Sequence, residues 1–406
     1  MRPPAWRGKA SDSVVRARAA ARVDRARWSR VAVALTFFCH GLYFASWTAH
    51  IPHVKSALGL SASELGLVLL AAPLGVVSAL ALAARLLPRW GSRRAVRGAV
   101  LGYCLSGVLV GLAPSAELLF GALFVWGAFQ AILDMAMNTQ GIAVERRQAR
   151  RLMSGLHGCW SLGSFSGAGL GAAAVGAGVS LAAQQIALSI PIVLVVAGLS
   201  IWMVDDVEPP EASDAPESRP KRRLLFSRTI LTLAAIAFAG LVCEGAAADW
   251  SAVYLRSGLH TSAGFAGLAY TAFSLTMVAV RLAGNRLTTL VRPDRLLPGL
   301  AAIATVGFAL GLIAGTPLAA IIGFACLGIG LGAIVPSTFS AAGRVPGAEI
   351  GAAVSTVAAL SYCGFVCGPP LIGALSGLLT LRFALLLLPL LTVTITALTA
   401  RTRALA

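Results

Sequence analysis

Two carboxylates in this sequence stand where carboxylates are costly. Of its sixteen acids, only Asp134 and Glu244 lie well inside long apolar runs, with Asp249 a turn and a half beyond Glu244. An acid placed in hydrocarbon is expensive and marks a functional site by default. Asp134 has Gln130 four residues before it and Asn138 four residues after, so the three share one helix face. Such a stripe can hydrogen-bond a polar solute or carry a proton. The plain alternative is an interhelical fastening. Glu244 has no Lys or Arg in the apolar part of its own run. It reads as a group that takes a proton on one side and gives it up on the other. The alternatives are a permanently protonated acid, or one that reaches a cation on another span.

Aromatic and imidazole groups accompany these acids. His40 has Tyr43 and Trp47 at i+3 and i+7, a face able to stack on a ring-shaped solute or to form an aromatic packing ridge. His157 and Trp160 open a later apolar run. The solute-binding candidates are therefore Asp134, Asn138, His40, Trp160, Tyr43 and His157. The proton-coupling candidates are Glu244 and Asp134. No P-loop, HExxH or GxSxG pattern occurs in the sequence. No catalytic residue, metal or cofactor is expected. The seven cysteines fall in apolar runs without zinc spacing and read as small packing residues.

The elements that must position these groups follow from composition. The chain is 57% hydrophobic and 12% charged, whereas a soluble domain carries about 25% charged residues. A bilayer crossing needs about 20 apolar residues. Twelve runs satisfy this, near 30–50, 63–86, 95–113, 117–140, 153–177, 181–204, 229–253, 264–284, 295–314, 317–341, 349–374 and 380–400. Lys and Arg accumulate on the cytoplasmic side of a membrane. With the N-terminus inside, 30 of the 33 basic residues fall in cytoplasmic segments, leaving Lys55, Arg256 and Arg382 outside. Both termini are thus expected in the cytoplasm and the spans in the cytoplasmic (inner) membrane. The net charge of +17 is spread in short clusters between spans, which argues for a lipid surface and against nucleic acid.

The longest polar interior stretch, 205–228, reads as a linker with acidic and basic blocks. It divides the chain into a basic segment 1–28, a six-helix bundle 29–204, the linker 205–228, a second six-helix bundle 229–400 and a tail 401–406. The halves echo one another: Cys39-His40-Gly41 and Cys243-Glu244-Gly245, Arg85 and Arg286, Gly127 and Gly328, Ser161 and Ser361, Phe165 and Phe365. The near-constant offset predicts two parallel repeats with a site at their interface, a transporter architecture.

The segments Trp47-Thr48-Ala49-His50-Ile51-Pro52, Asp134-Met135-Ala136-Met137-Asn138, Leu156-His157-Gly158-Cys159-Trp160-Ser161 and Glu244-Gly245-Ala246-Ala247-Ala248-Asp249-Trp250 resemble the major facilitator superfamily. Within it they resemble the bacterial fucose and sugar permease branch. The resemblance implies an all-α membrane protein with twelve helices in two pseudo-symmetric bundles. It departs from the family at Pro88-Arg89-Trp90-Gly91-Ser92-Arg93-Arg94, where the usual acid is missing.

The sequence is therefore read as a secondary transporter that moves a small solute, such as a sugar or related metabolite, by alternating access with proton symport. It is expected to act as a monomer. The rival readings are a drug or metabolite exporter working by proton antiport and, further off, a non-transporting receptor or scaffold. An enzyme is not expected.

Overall fold

A computed structural model of the chain describes residues 6–148, 152–205, 227–345, 350–402 and 405. Most of the linker, residues 149–151, residues 346–349 and part of the C-terminal tail lie outside the described residues, as do the first five residues. The described chain is helical, and no strand occurs among these residues.

Among the described residues, eleven helices are long and apolar enough to cross a membrane. They are α1 (Arg25–Ala57), α2 (Ala62–Ala83), α3 (Ser92–Leu112), α4 (Ala116–Gln148), α6 (Leu181–Trp202), α7 (Arg228–Gly258), α8 (Ala263–Gly284), α9 (Arg295–Ala314), α10 (Pro317–Ala342), α11 (Ala353–Leu378) and α12 (Leu381–Arg401). Between α4 and α6 runs α5 (Met153–Gly176), 24 residues long. At 1.5 Å per residue it spans about 36 Å, enough for a bilayer core of about 30 Å. Its glycines, serines and His157 dilute its apolar character, and it packs against α1 and α8. Twelve crossings return the chain to the face it started from. That face is called here the terminal face, and its opposite the far face.

The helix starts follow from local chemistry. Ser61 accepts from the Glu64 amide at 3.2 Å while Glu64 accepts from the Ser61 amide at 2.8 Å, a reciprocal cap on α2. Ser180, Ser227 and Thr316 cap α6, α7 and α10 through their side-chain oxygens. The Glu145 carboxylate reaches over the α4–α5 turn to accept from the Leu152 and Met153 amides at 2.6 and 3.1 Å. An acid at a helix start also suits the helix dipole.

The two halves pack by the same scheme. In the first, α1 lies on α5, α4 lies on α2 and α3, and α3 lies on α6. In the second, α7 lies on α11, α10 lies on α8 and α9, and α9 lies on α12. The repeat extends to single contacts. A Cβ on Gly127 would meet the Ala72 carbonyl oxygen at 2.1 Å, and one on Gly328 would meet the Phe273 oxygen at 2.2 Å. Likewise Gly163 lies on the Phe38 carbonyl and Gly364 on the Phe238 carbonyl. Both partners in each pair are displaced by 200 or 201 positions. Glycine ridges let backbones approach this closely.

The halves meet along α5 with α8 and α2 with α11. At the far face this seam is backbone on backbone. A Cβ on Gly66 would lie 2.6 Å from the Pro369 oxygen and 3.0 Å from the Gly373 Cα, and one on Gly264 would lie 2.9 Å from the Gly176 Cα. The Ser63 hydroxyl donates across it to the Gly373 carbonyl at 3.2 Å.

At the terminal face the first half is tied internally. The amide of Gln140, fully buried, donates to Ser92 Oγ and the Val204 carbonyl, each at 2.7 Å, and accepts from the Val204 amide at 2.9 Å. Arg93 pairs with Asp205 at 3.2 Å. These contacts fasten the terminal ends of α3 and α4 to the end of the first half.

Candidate functional site

The middle of the seam holds a tight cleft with room for little more than one water, lined from α5, α7 and α8. Trp160, Ser161 and Ser164 come from α5, Glu244 from α7, and Tyr270, Phe273, Ser274 and Arg281 from α8. Aromatic rings wall it and one acid and one base face each other within it. Glu244 Oε1 lies 3.7 Å from an Arg281 terminal nitrogen. Another terminal nitrogen of Arg281 donates to Ser161 Oγ at 3.0 Å. The guanidinium therefore binds an acid of its own half and a hydroxyl of the other half. Its Nε is buried without a hydrogen-bond partner among the described residues.

Glu244 thus has a cation from another span, the alternative set beside an unpaired acid above. Arg281, counted from the sequence among the cytoplasmic basic residues, sits inside α8. Its long stem carries the charge along the helix toward Glu244, as arginines in membranes commonly do. Two features could have exposed it. The run Thr276-Met277-Val278-Ala279-Val280 leads into it, and Leu282-Ala283 follows before the first turn-type residue, Gly284. An intramembrane acid also calls for a cation nearby.

Asp134 lies on α4 in the first half. Asn138 Nδ2 donates to the Asp134 carbonyl at 2.8 Å and to its Oδ1 at 3.3 Å, so the i, i+4 stripe forms. No ion pair of Asp134 occurs among the described residues. The Tyr362 ring of α11, 41% exposed, lies within electrostatic reach of both Asp134 and Glu244. Tyr362 was missed from sequence because nothing local marks it; only the packing of α11 across the seam brings it between two acids. His157 is exposed, within electrostatic reach of Arg281, and edge-on to Phe37 with ring centroids 5.3 Å apart.

His40 and Trp160 are joined directly. The Trp160 indole donates to His40 Nδ1 at 2.9 Å. An indole can only donate, so Nδ1 is the acceptor and the imidazole proton sits on Nε2 of a neutral ring. His40 is buried, its Nε2 has no partner among the described residues, and it abuts Tyr103 at 5.3 Å. Tyr43 turns away from the cleft. Fully buried, its hydroxyl donates to the Cys104 carbonyl at 2.8 Å and lies 2.9 Å from Ser189 Oγ, between α3 and α6. Trp47 is also in the first-half core, edge-on to Trp126. Of the sequence candidates, Glu244 and Trp160 line the cleft, Asp134 and Asn138 bond to each other on α4 outside its lining, His157 opens beside Arg281, His40 stands behind Trp160, and Tyr43 is in the core.

Comparison with known proteins agrees with this architecture. The sequence model of the Major Facilitator Superfamily matches residues 33–342 and 245–404. An uncharacterised MFS-type transporter of Yersinia pestis is 32% identical over 372 residues, covering 91% of this chain and 94% of that protein. The membrane protein MosC of Rhizobium meliloti is 31% identical over 355 residues, covering 87% and 85%. Among solved structures, a point mutant of the nucleoside transporter NupG superposes with a TM-score of 0.73 over 92% of this chain and all of that one, at 11% identity. A bacterial homologue of the lysosomal transporter Spinster, inward-facing and unoccupied, gives 0.66 over 94% and 98%, at 14% identity. With the family matched across nearly the whole chain and the paired bundles in place, this protein belongs to the major facilitator superfamily and is a multi-pass membrane transporter of small solutes, not an enzyme.

Proposed function

We propose that the protein is a proton-coupled symporter of the cytoplasmic membrane that moves a small polar solute, of the sugar or related metabolite kind, by rocking its two bundles about the central cleft. One observation carries this reading. Glu244 faces Arg281 in a cleft between the halves, and Arg281 also bonds to Ser161 of the other half. Protonation of Glu244 loosens its hold on the guanidinium, and the guanidinium is part of the contact between bundles. Proton binding is thereby linked to the contact that rocking must remake. Linkage of this kind is reciprocal, so whatever favours the rearranged contact also favours the proton.

In this reading the terminal face is cytoplasmic and the far face is outside. The bundles span 29–204 and 229–400, and the protein works as a monomer because each chain contains both halves of its own site. The backbone seam at Gly66, Gly373, Gly176 and Gly264 then closes the outside, so this conformation receives solute from, or delivers it to, the cytoplasm. Asp134 and Asn138 bind solute, with Asp134 also exchanging a proton. Trp160 supplies a stacking wall that His40 holds in place, and His157 lies on the cytoplasmic approach. Tyr43 acts through packing.

Two measurements test this. The first is topological, on a background lacking the seven native cysteines. Single cysteines at the exposed positions Ser56 and Ser257 should react with an impermeant thiol reagent applied outside, and those at Arg89 and Arg228 should not. Labelling of both sets from one side would remove the orientation. The second uses purified protein in liposomes, screened with radiolabelled sugars, sugar acids and drugs with and without a pH gradient. The pH gradient should drive uptake of one solute class. Asp134→Asn should insert and fold yet lower that uptake at least tenfold, about 1.4 kcal/mol of lost interaction. Asn keeps the shape and hydrogen-bonds to Asn138 nearly as well, so an Asp134 that only fastens helices would leave uptake at the wild-type level.

A further inference from the structure

We infer that the solute is a small organic anion, a carboxylate-bearing metabolite recognised by Arg281, and that it enters together with one proton that goes to Glu244. The inference rests on the symport reading above and names its substrate class.

The first support is the charge balance of the cleft. In the structure the Arg281 guanidinium is compensated by Glu244 at 3.7 Å. This is a loose contact, longer than the hydrogen-bonded pairs of about 2.7–2.9 Å that guanidinium and carboxylate form at best. The guanidinium keeps a buried Nε without a partner among the described residues, so its donors are not exhausted. A solute carboxylate can take the place of the Glu244 carboxylate if Glu244 is protonated. In the empty site the pair is Arg281 with ionised Glu244. In the loaded site it is Arg281 with the solute anion, beside neutral Glu244. The atoms balance: one proton and one anion enter, and the local charge is the same in both states. No uncompensated charge is then carried through the low-dielectric middle, the costly alternative. A neutral solute offers no such exchange, and protonating Glu244 for it would leave Arg281 stranded.

Among the described residues, Glu244 meets no second cation that would spoil the exchange. Arg281 and Tyr270 face it from α8, Tyr362 faces it from α11, and Ser161 lies beside Arg281 on α5. Asp249, on its own helix, lies across Tyr270. Walls of Trp160, Tyr270 and Phe273 exclude water around the charge and strengthen the pairing.

The second support is independent of the cleft. Above the seam at the far face lies a pocket opening onto about 870 Å³ of space, which joins the ends of α1 and α5 to the α7–α8 turn. Its lining holds one formal charge, that of Arg256, together with the imidazoles of His53 and His260, and no acid. A concave site with one sign of charge concentrates the opposite ion before it enters. This basic vestibule lies over the point where the halves part, and the next cation inward along α8 is Arg281.

The test is ligand binding to purified full-length protein, read as the shift in thermal unfolding, with matched pairs that differ only in a carboxylate. Galacturonate is set against galactose, gluconate against sorbitol, and benzoate against benzyl alcohol. At least one carboxylate should raise the unfolding temperature while its neutral partner does not. Arg281→Gln should weaken that binding at least tenfold, and Arg281→Lys should restore part of it. In weakly buffered solution, binding should take up about one proton per carboxylate. Glu244→Gln, which is neutral already, should bind with about one proton fewer taken up. Absence of any carboxylate binding overturns the inference. So does a neutral solute that binds wild type and Arg281→Gln equally. If that neutral solute is nevertheless accumulated by a pH gradient in liposomes, the symport reading stands and only the anion assignment falls. If no member of any pair crosses the membrane, the symport reading falls as well.

Discussion

Glu244→Gln is expected to abolish accumulation driven by a pH gradient while leaving exchange of solute across the membrane largely intact. Glutamine has the shape of protonated glutamate and cannot ionise. In the proposed cycle the ionised form of Glu244 reclaims Arg281 after solute leaves, which resets the empty carrier. A fixed neutral group removes that step and keeps the loaded form favourable. Net uphill uptake needs the reset; counterflow, in which labelled and unlabelled solute trade places, does not. Both are measured in the same liposomes. Unchanged gradient-driven accumulation in the variant would rule out Glu244 as the coupling group. Loss of both activities is a separate outcome that points to a packing role, because removing one member of a buried pair can cost about 3–5 kcal/mol. The thermal stability of the purified variant distinguishes the two. A variant that unfolds at the wild-type temperature and has lost both activities would place Glu244 in solute binding rather than in coupling.

Gly66→Leu should stop turnover altogether, and for a different reason. The Gly66 Cα faces the Pro369 carbonyl and Gly373 across the seam, with no space for a first side-chain carbon. Gly373 faces the Ala62 carbonyl oxygen, which its Cβ would meet at 2.9 Å. Backbone cannot swing aside as a flexible side chain can. Overpacking of this kind costs about 1–3 kcal/mol or more. Between two access states near balance, ~3 kcal/mol leaves under about 1% of molecules closed at the far face. The variant should therefore sit with that face open. A cysteine at Tyr362, exposed in the centre of the molecule, should become reactive to an impermeant reagent added outside. Gly66→Ala should give an intermediate effect. Wild-type turnover in Gly66→Leu would show that the seam does not close during transport. Normal unfolding temperature with lost turnover would separate trapping from misfolding.

Much of the architecture could be read from the chain because it rests on one-dimensional quantities. Apolar run length gives the spans, and the near-constant offset gives the duplicated packing, down to Gly127 on Ala72 and Gly328 on Phe273. The centre was legible only in part. Asp134 and Asn138 meet as i, i+4 geometry requires, since their contact lies within one helix. The partner of Glu244 was hidden, because Arg281 is 37 positions away on a helix whose rotation the sequence does not state. Its place near the end of an apolar run made it look like the start of the next loop. His40 and Trp160 were each singled out, yet their hydrogen bond joins residues 120 positions apart. Tyr43 shares a helix face with His40 by spacing, but three residues along a helix also leave the two about 60° apart around the axis. That rotation suffices to send its hydroxyl to Cys104 instead of the cleft.

The seam at the far face also bears on how easily the carrier changes state. Long side chains that lock a gate must be frozen each time it shuts, at up to about 1.5–2 kcal/mol each in lost rotamer freedom. Glycine and alanine have no such freedom to lose. The contacts of Gly66 with Gly373, Gly176 with Gly264, and Gly267 with Ala172 therefore form and dissolve with almost no ordering of side chains. Ser63 is the hydroxyl that must settle into one rotamer to reach Gly373. A gate built this way is poor at holding itself shut and equally poor at resisting closure. The decision falls to the few charged groups at the centre, where a single proton or a single solute can tip it.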